Sequence, residues 1–478
     1  MQSKQLQTSA SSVAVIGGGI AGATAALHLS ELGIKVTLIE KKPGLVYGPP
    51  ICHLHAGGNL YREISRQQCL ELLKQSVDTA RLYPHTINNR PTIIAVPYAD
   101  GGTPEELYER LLFIQKAYQE LVNEDERNKV LGEPEDYYRF YGREELETLA
   151  NRTQPSEPSS FDDWMIPFAK DADLDSLRFP VVMVQEPGWS VFRIAASATL
   201  ALEQSENCHL MLDTYVTDLT HDEGWTVHCT DGSGRSVQVK ADYLVNACGY
   251  ETGHIDDLAD KPRNRLVEFK AAYVTKWSQS DELWPEVIFH GPRGTPNGMA
   301  QLTPYPNGVF QLHGMTKDIT LFEDGLVSSD AQSSQPQLPM RLRKKIIEGW
   351  NEDVVIERSR RAINHMARFV PKYQSAVEFG TPLFGAQQIP GNDETLRAAD
   401  VTFAGNDYAR LEVVKGSSAL EAVTKLVEHW HLYDYRDQSI EELHPISMSL
   451  AYEQVEERAK YLASSRDYPE ELAEYYGQ

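Results

Sequence analysis

Hydrophobic positions change their spacing twice within the first forty residues of this chain. Val13 to Ile16 is a short apolar run that enters Gly17-Gly18-Gly19-Ile20-Ala21-Gly22, and Ala23 to Leu32 then repeats apolar positions at helical spacing. Gly33 ends that helix. Lys35 to Ile39 is a second apolar run, VTLI at its core, that stops at Glu40. The order strand, glycine turn, helix, strand, acid predicts a complete βαβ unit.

Further along, Thr103 to about Glu126 is amphipathic and predicts a helix, with a shorter one over Arg143 to Ala150. Asn151 to Asp163, rich in Ser, Pro and Thr, predicts a surface loop. Phe192 to Glu203 has a helical pattern, while Leu210 to Val216, Gly224 to Thr230 and Val237 to Ala247 alternate as strands. Between 265 and 325, short strand-like runs are divided by Gly and Pro, the pattern of an antiparallel sheet rather than a second βαβ unit. Leu338 to Phe369 predicts a helix that is locally basic through RLRKK and ERSRR, and 418–430 and 447–463 predict two more.

Charge narrows the partners. A formal net charge of -24 over 478 residues would repel polyanions, which argues against nucleic acid and anionic membrane surfaces as partners of the whole molecule. No apolar stretch approaches the roughly 20 residues of a membrane span, and the opening MQSKQLQTSASS lacks the regions of a signal peptide, so a cytoplasmic protein is expected. The five cysteines, Cys52, Cys69, Cys208, Cys229 and Cys248, form no CxxC pair and no metal-ligand spacing. Reduced, buried thiols are expected from this, and neither a metal site nor a flavin-linked dithiol.

The glycine spacing has a mechanical purpose. Gly17 permits a tight turn, Gly19 lets a pyrophosphate approach the backbone, and Gly22 allows close packing of helix on strand. The helix starting at Ile20 and Ala21 turns its N-terminus to the phosphates. Glu40, with Lys41 beside it, stands 18 residues beyond Gly22, where an acid accepts hydrogen bonds from an adenosine ribose. No second fingerprint in a βαβ setting follows. One nucleotide site therefore means FAD or NAD, not both.

Downstream motifs choose between them. Asp213-Thr214-Tyr215-Val216-Thr217-Asp218-Leu219, a hairpin around Asp231-Gly232, and Ala241 to Tyr250 with its run Val245-Asn246-Ala247-Cys248-Gly249 resemble the D-amino-acid oxidase superfamily of FAD enzymes. The resemblance implies that the Val216 backbone meets adenine and that Ala247 and Gly249 close over the dinucleotide, with Cys248 replacing a family alanine. Phe403-Ala404-Gly405-Asn406-Asp407-Tyr408, followed by Lys415-Gly416-Ser417-Ser418, is similar to the family's C-terminal glycine motif. By that likeness Gly405, Gly416, Ser417 and Ser418 lie against the flavin, offering backbone N–H groups to its C2 carbonyl. A Ser-Ser helix cap is compatible with the same role.

Cys52-His53-Leu54-His55-Ala56-Gly57-Gly58 resembles both the family's N-A-G-G segment and the W-H-A-A-G version of dimethylglycine and sarcosine dehydrogenases. The likeness places His55, Ala56, Gly57 and Gly58 beside the isoalloxazine. Two outcomes follow for His55, a covalent bond to the flavin 8α-methyl or a hydrogen bond near the ring.

The fold class expected is therefore α/β: a discontinuous Rossmann-like FAD-binding domain over 11–65, 180–262 and 380–430, with a mixed or antiparallel-sheet substrate domain over 263–379. A helical insert at 66–179 and a helical tail at 431–478 complete it. Residues 294–305 and 310–314 are unusually polar for consecutive strands, so Tyr305, Gln301 and His313 are candidates for the substrate pocket, against an inert turn and a satisfied histidine. Arg410 is the resemblance's candidate for binding a substrate carboxylate, against a salt bridge with Glu412.

No Ser-His-Asp, zinc or P-loop pattern appears, which leaves a flavin as the source of chemistry. The expected activity is oxidation of a small amine or amino acid by hydride transfer to flavin N5, with O2 or another acceptor taking the electrons. The alternatives are a 2-hydroxy acid as substrate, an FAD monooxygenase, and a non-catalytic flavin-fold escort. A protein partner at the 100–178 segment or the acidic tail from His429 is set against plain solvated helices there.

Overall fold

The computed structural model describes residues 11–48, 64–278 and 282–477, together with the backbone of the short strand Leu54–His55. Its first layer is the expected nucleotide sheet. Ser12–Ile16 lies between Lys35–Ile39 and Tyr243–Asn246, all parallel, with Cys208–Met211 and Tyr408–Leu411 outside them and Val401–Phe403 antiparallel at the edge. Helix Ile20–Glu31 is buried from Ala21 to Ser30, because Val191–Gln204 and Ala419–His429 pack against it. Its small residues, Ala21, Gly22, Ala23, Ala25 and Ala26, permit that double contact.

A three-stranded antiparallel sheet, Thr214–His221, Trp225–Asp231 and Ser236–Ala241, springs from this layer. Its first strand starts where Lys35–Ile39 stops, since the Thr214 N–H donates to the Glu40 carbonyl at 2.9 Å.

The second large layer departs from expectation. Residues 66–179 are not a helical insert: Thr92–Pro97, Tyr138–Tyr141 and Leu177–Val184 belong to the ten-stranded sheet of Arg265–Lys276, Glu286–Phe289, Ala300–Pro304 and Val309–Gly314. Thr92–Pro97 runs parallel to Glu286–Phe289 near the middle of that sheet. All six of its residues are buried, so its apolar run carries no alternation by which to recognise a strand. Leu383–Pro390, expected in the nucleotide domain, also pairs here, along Arg265–Lys276.

Helices Tyr108–Glu124 and Arg143–Leu149 form as expected, and Arg66–Leu82 adds one that periodicity did not single out. The expected loop over 151–163 ends early, because the Ser160 and Asp163 capping box starts helix Phe161–Asp171. Leu338 to Phe369 splits into Met340–Glu348 and Glu352–Met366, broken at Gly349, whose φ of +85° suits glycine.

The two faces of the large sheet meet different surroundings. Tyr273, Leu302, Leu312 and Phe289 share a core with Trp164, Met165 and Phe168 of one helix and Ile363 and Met366 of another. Ala272, Val274, Val309 and Tyr305, on the opposite face, belong instead to the core of Ala25, Leu27 and Ala422. The second face therefore looks at the nucleotide half.

The C-terminal tail is woven into the molecule rather than solvated along its length. Helix Tyr452–Ser464 packs on Val191–Gln204, and Leu472, Ala473 and Tyr476 are buried. Arg193 donates to the Ala473 carbonyl at 3.1 Å and the Tyr476 hydroxyl to that of Trp284 at 2.9 Å. Among the described residues, no helix is long and apolar enough to cross a membrane.

Candidate active site

The Gly17–Gly22 turn is built as its spacing requires. Gly17 has φ of +98°, and a Cβ there would sit 2.6 Å from the Ala247 carbonyl oxygen. A Cβ on Gly22 would lie 1.8 Å from the Gly17 oxygen, so only glycine lets this helix close onto the turn. A Cβ on Gly19 would meet nothing within 4 Å. That open ground lies before the first turn of the helix at Ile20 and Ala21, whose N–H groups have no partner inside the helix. Concave space faced by N–H groups at a helix N-terminus fits a pyrophosphate.

Glu40 closes the turn from the side. Its carboxylate accepts from the Gly18 N–H at 2.6 Å and the Lys42 N–H at 2.7 Å. Burial raises its pKa, while those two N–H groups and Lys41 oppose the rise. Lys41 itself pairs with Glu251, just past Gly249, and so ties this edge to the loop after Tyr243–Asn246. The Ala247 N–H donates to the Ile16 carbonyl at 2.8 Å, which holds that loop over the turn. Val216 lies two residues into the strand that leaves Glu40, and the strand's register shifts just after it. Burial pushes the Cys248 thiol well up, which favours the neutral form.

One functional contact escaped the sequence. Val46 adopts φ of +49°, a strained conformation for a β-branched residue. Two bonds hold it: its N–H donates to the Gly18 carbonyl at 2.7 Å, and its carbonyl accepts from Arg466 at 2.9 Å. Arg466 also donates to the Leu45 carbonyl at 2.9 Å and covers the Tyr47 ring. The tail thus buttresses the loop beside the nucleotide turn, from more than 400 residues away.

Gly416, Ser417 and Ser418 form a buried turn leading into helix Ala419–His429. The Ser418 hydroxyl donates to Gln75 at 2.6 Å, and the Thr79 hydroxyl donates to the Ser417 carbonyl at 2.9 Å. Side chains of Arg66–Leu82 thus steady this cradle. Gly405 is a correction. It sits in the hairpin between Val401–Phe403 and Tyr408–Leu411, at the end of the sheet opposite the Gly17 turn, because Tyr408 aligns with Leu244 at the start of a parallel strand. Asp407 there bonds His221, at the far end of the strand that starts at Glu40. Ala56, Gly57 and Gly58 lie outside the described residues. The His55 backbone pairs with Gly188, and its side chain lies outside the description.

Arg410 is a second correction. It is buried on the nucleotide sheet, where its Nε donates to Asp256 at 2.7 Å and its Nη2 to the Lys261 carbonyl at 2.6 Å. Asp256 also pairs with Arg265 and accepts from the Tyr408 hydroxyl at 2.7 Å. Glu412, the partner considered for Arg410, instead meets Arg263 at 2.9 Å and Arg265 at 3.3 Å. Arg410 is thus engaged in a structural network that joins the two sheets.

The sheet face turned to the nucleotide half gathers the polar candidates. Gln301 stands opposite His313, and Thr303 opposite Gln311, which in turn faces Val274. All four polar side chains are buried. Tyr305 is buried at the end of the same row, its hydroxyl 3.5 Å from Gln311 Oε1. Burial raises its pKa, with Arg90 opposing and Glu286 assisting. Glu286, wholly buried, pairs with Arg90 and accepts from Gln301. Burial raises that carboxyl too, against the pull of Arg90 and Gln301.

Arg90, Glu286, Thr303 and Gln311 were not singled out from the sequence. The usable signal was alternation: Gln301 and Thr303, then Gln311 and His313, occupy every second position of otherwise apolar strands. Chemically, such a face presents amides, hydroxyls and an imidazole in a water-poor interior, suited to orienting a small polar molecule.

The DAO family model, described as FAD dependent oxidoreductase, matches residues 12–380. No curated protein matches this sequence significantly. Among solved structures, glycine oxidase from Geobacillus kaustophilus shares 14% identity over 92% of this chain and 99% of its own, with a TM-score of 0.54. L-proline dehydrogenase from P. horikoshii shares 15% over 92% and 98%, at 0.56. L-alpha-glycerophosphate oxidase from Mycoplasma pneumoniae, with FAD bound, shares 14% over 88% and 94%, at 0.55. Identities this low speak to the fold alone.

Proposed function

This chain belongs to the DAO family of FAD-dependent oxidoreductases, and on that premise we propose that it oxidises a small amine or amino acid. FAD, when bound, would supply a two-electron acceptor for oxidation of the carbon next to the substrate nitrogen. The imine product then hydrolyses in water. The observation that carries the proposal is the buried polar face of Gln301, Thr303, Gln311 and His313, turned towards the nucleotide half.

In this reading the protein's part is placement. The Gly17–Gly22 turn and the Ile20–Glu31 helix N-terminus hold the pyrophosphate, Glu40 the ribose, and the Gly416–Ser418 turn the pyrimidine end of the flavin. The amides of Gln301 and Gln311 and the hydroxyl of Thr303 orient the substrate and exclude water from it. Two of the three structural relatives named above are amino-acid enzymes by name, which favours nitrogen. The third, a glycerophosphate oxidase, keeps a hydroxyl substrate as the second reading. A contact of His55 with the flavin, either a covalent bond to the 8α-methyl or a hydrogen bond near the ring, belongs to the same proposal.

The test is the absorbance spectrum of purified protein, followed by anaerobic addition of amino acids, amines and 2-hydroxy acids. Bleaching of the flavin band by amines or amino acids supports the proposal, and bleaching by hydroxy acids alone moves it to the second reading. Reduction by NADPH without any amine replaces it with monooxygenase chemistry.

A further inference from the structure

We infer that Lys270 and Arg293 form a subsite for an anionic group, carboxylate or phosphate, carried by the substrate. The inference rests on reading the nucleotide-facing side of the large sheet as the substrate wall. Lys270 follows Val274 and Ala272 along Arg265–Lys276 at the strand period of two, and so stands on that same side. It is nearly buried, with 12% of its side chain exposed.

Charge balance makes the argument. Lys270 Nζ lies 2.8 Å from Glu268 Oε2, and Arg293 Nη2 pairs with the other oxygen of the same carboxylate. One carboxylate therefore serves two cations. A third, Arg397, acts on Lys270 from the loop after Leu383–Pro390. Among the described residues, the Arg397 Nη1 donates to the carbonyls of Glu394 and Leu396, at 2.7 and 2.8 Å, and its charge acts on the Asp393 carboxylate. Among the described residues the cluster thus carries more positive than negative charge in a partly buried site, and an arriving anion balances it. Burial depresses the Lys270 pKa and Glu268 raises it, while Arg293 and Arg397 press it down again.

Position links this cluster to the flavin cradle. The second contact of Lys270 is Gln387 Oε1, at 3.0 Å, and Gln387 Nε2 donates to the carbonyl of Val414, two residues before Gly416. Among the described residues, Glu268 and Gln387 supply the only acceptors for three ammonium hydrogens. Among the described residues, the remaining N–H of Lys270 and those N–H groups of Arg293 that neither Glu268 nor Met315 Sδ, 3.7 Å from Nη1, engages suit an oxyanion, which guanidinium binds through paired N–H groups.

The test is calorimetric titration of the FAD-loaded protein with succinate, inorganic phosphate and neutral succinamide. The expected result is anion binding that weakens at least tenfold in both Lys270→Met and Arg293→Gln, persists in Lys270→Arg, and is absent for succinamide. Which anion binds distinguishes a carboxylate from a phosphate substrate. Arg293, a third exposed, keeps the test open should Lys270→Met fail to fold. Equal anion binding by wild type and both variants, or none by wild type, overturns the subsite. Anion binding that depends on Lys270 without bleaching by any substrate class supports the subsite and removes the oxidase reading instead. Bleaching by neutral amines alone does the reverse.

Discussion

The two halves of this molecule build their sites from different parts of the chain. At the Gly17–Gly22 turn the working groups are backbone N–H groups, and the side chains matter by being absent. On the large sheet the groups of the proposed site are side chains, brought into register from strands as separate as Glu286–Phe289 and Val309–Gly314. A site made of backbone is compact in sequence and intolerant of added atoms. A site made of side chains is dispersed, and each member can be removed with the scaffold left standing.

The sharpest way to break that comparison is to add a single methyl group at two glycines. Gly22→Ala places a carbon 1.8 Å from the Gly17 oxygen, a clash of backbone with backbone that no rotamer relieves. We expect no soluble flavoprotein. Gly19→Ala meets no protein atom within 4 Å, so its thermal midpoint without cofactor should equal that of the parent. Its FAD affinity should fall by about tenfold or more, about 1.4 kcal/mol per decade, because the methyl enters the ground reserved for pyrophosphate. Unchanged FAD affinity in Gly19→Ala would remove the pyrophosphate from that position.

Next in size is the joint between the halves. Asp256→Ala removes the carboxylate shared by two buried guanidiniums, Arg265 and Arg410, and should destabilise the protein by about 3–5 kcal/mol, measured by denaturant unfolding. Arg410→Met should cost stability in the same assay while flavin bleaching by substrate proceeds. If Arg410→Met instead raises KM selectively, Arg410 belongs to the substrate after all.

These differences explain what was legible in the sequence. The βαβ unit was, because Gly17, Gly19, Gly22 and Glu40 act within thirty residues and each answers a local steric need. Gly405 was misread because a glycine near the right motif does not reveal which end of a parallel strand it occupies, and register decides that, while Arg410 was misread because Asp256, which engages it, lies 154 residues away. Thr92–Pro97 stayed hidden because a strand buried on both faces loses its alternation. Arg90, Glu286 and Lys270 acquire meaning only through partners at Glu286, Gln301 and Glu268 that the sheet supplies. Arg466 is the extreme case, a tail residue whose purpose is a loop near the N-terminus.

The sheet half is probed by milder changes. Gln311→Leu and Thr303→Val keep volume while deleting polar contact, and both sit in a wall backed by Leu302 and Leu312. Flavin content should stay that of the parent while kcat/KM falls by about tenfold, the worth of one hydrogen bond to a polar substrate. Equal kcat/KM in both variants would move the substrate off this wall.

The smallest effect lies at the tail, where proton positions can be deduced. His444 Nδ1 faces the Ile440 carbonyl at 2.6 Å, so it must donate, which leaves its Nε2 to accept from His28 Nδ1 at 2.8 Å. His28 Nε2 then accepts from the Tyr435 hydroxyl at 2.8 Å, and both imidazoles are neutral. Burial lowers both, His444 to about 4 and His28 well below its ordinary value, with the charge of His444 adding to the effect on His28. Below an unfolded pKa near 6.5 the unfolded chain takes up protons that the folded one refuses. Stability contributed by the neutral pair is therefore complete above about 6.5 and is lost as pH falls towards 4. Between pH 6.5 and 5.5 each histidine should forfeit up to about 1.4 kcal/mol, read as a falling midpoint in denaturant. Glu31, raised by burial where it caps Ser447, acts in the opposite direction and softens the slope. His444→Asn should flatten the profile over this window while leaving FAD binding as it was. An unchanged profile in His444→Asn would show that the tail holds on by its apolar contacts alone.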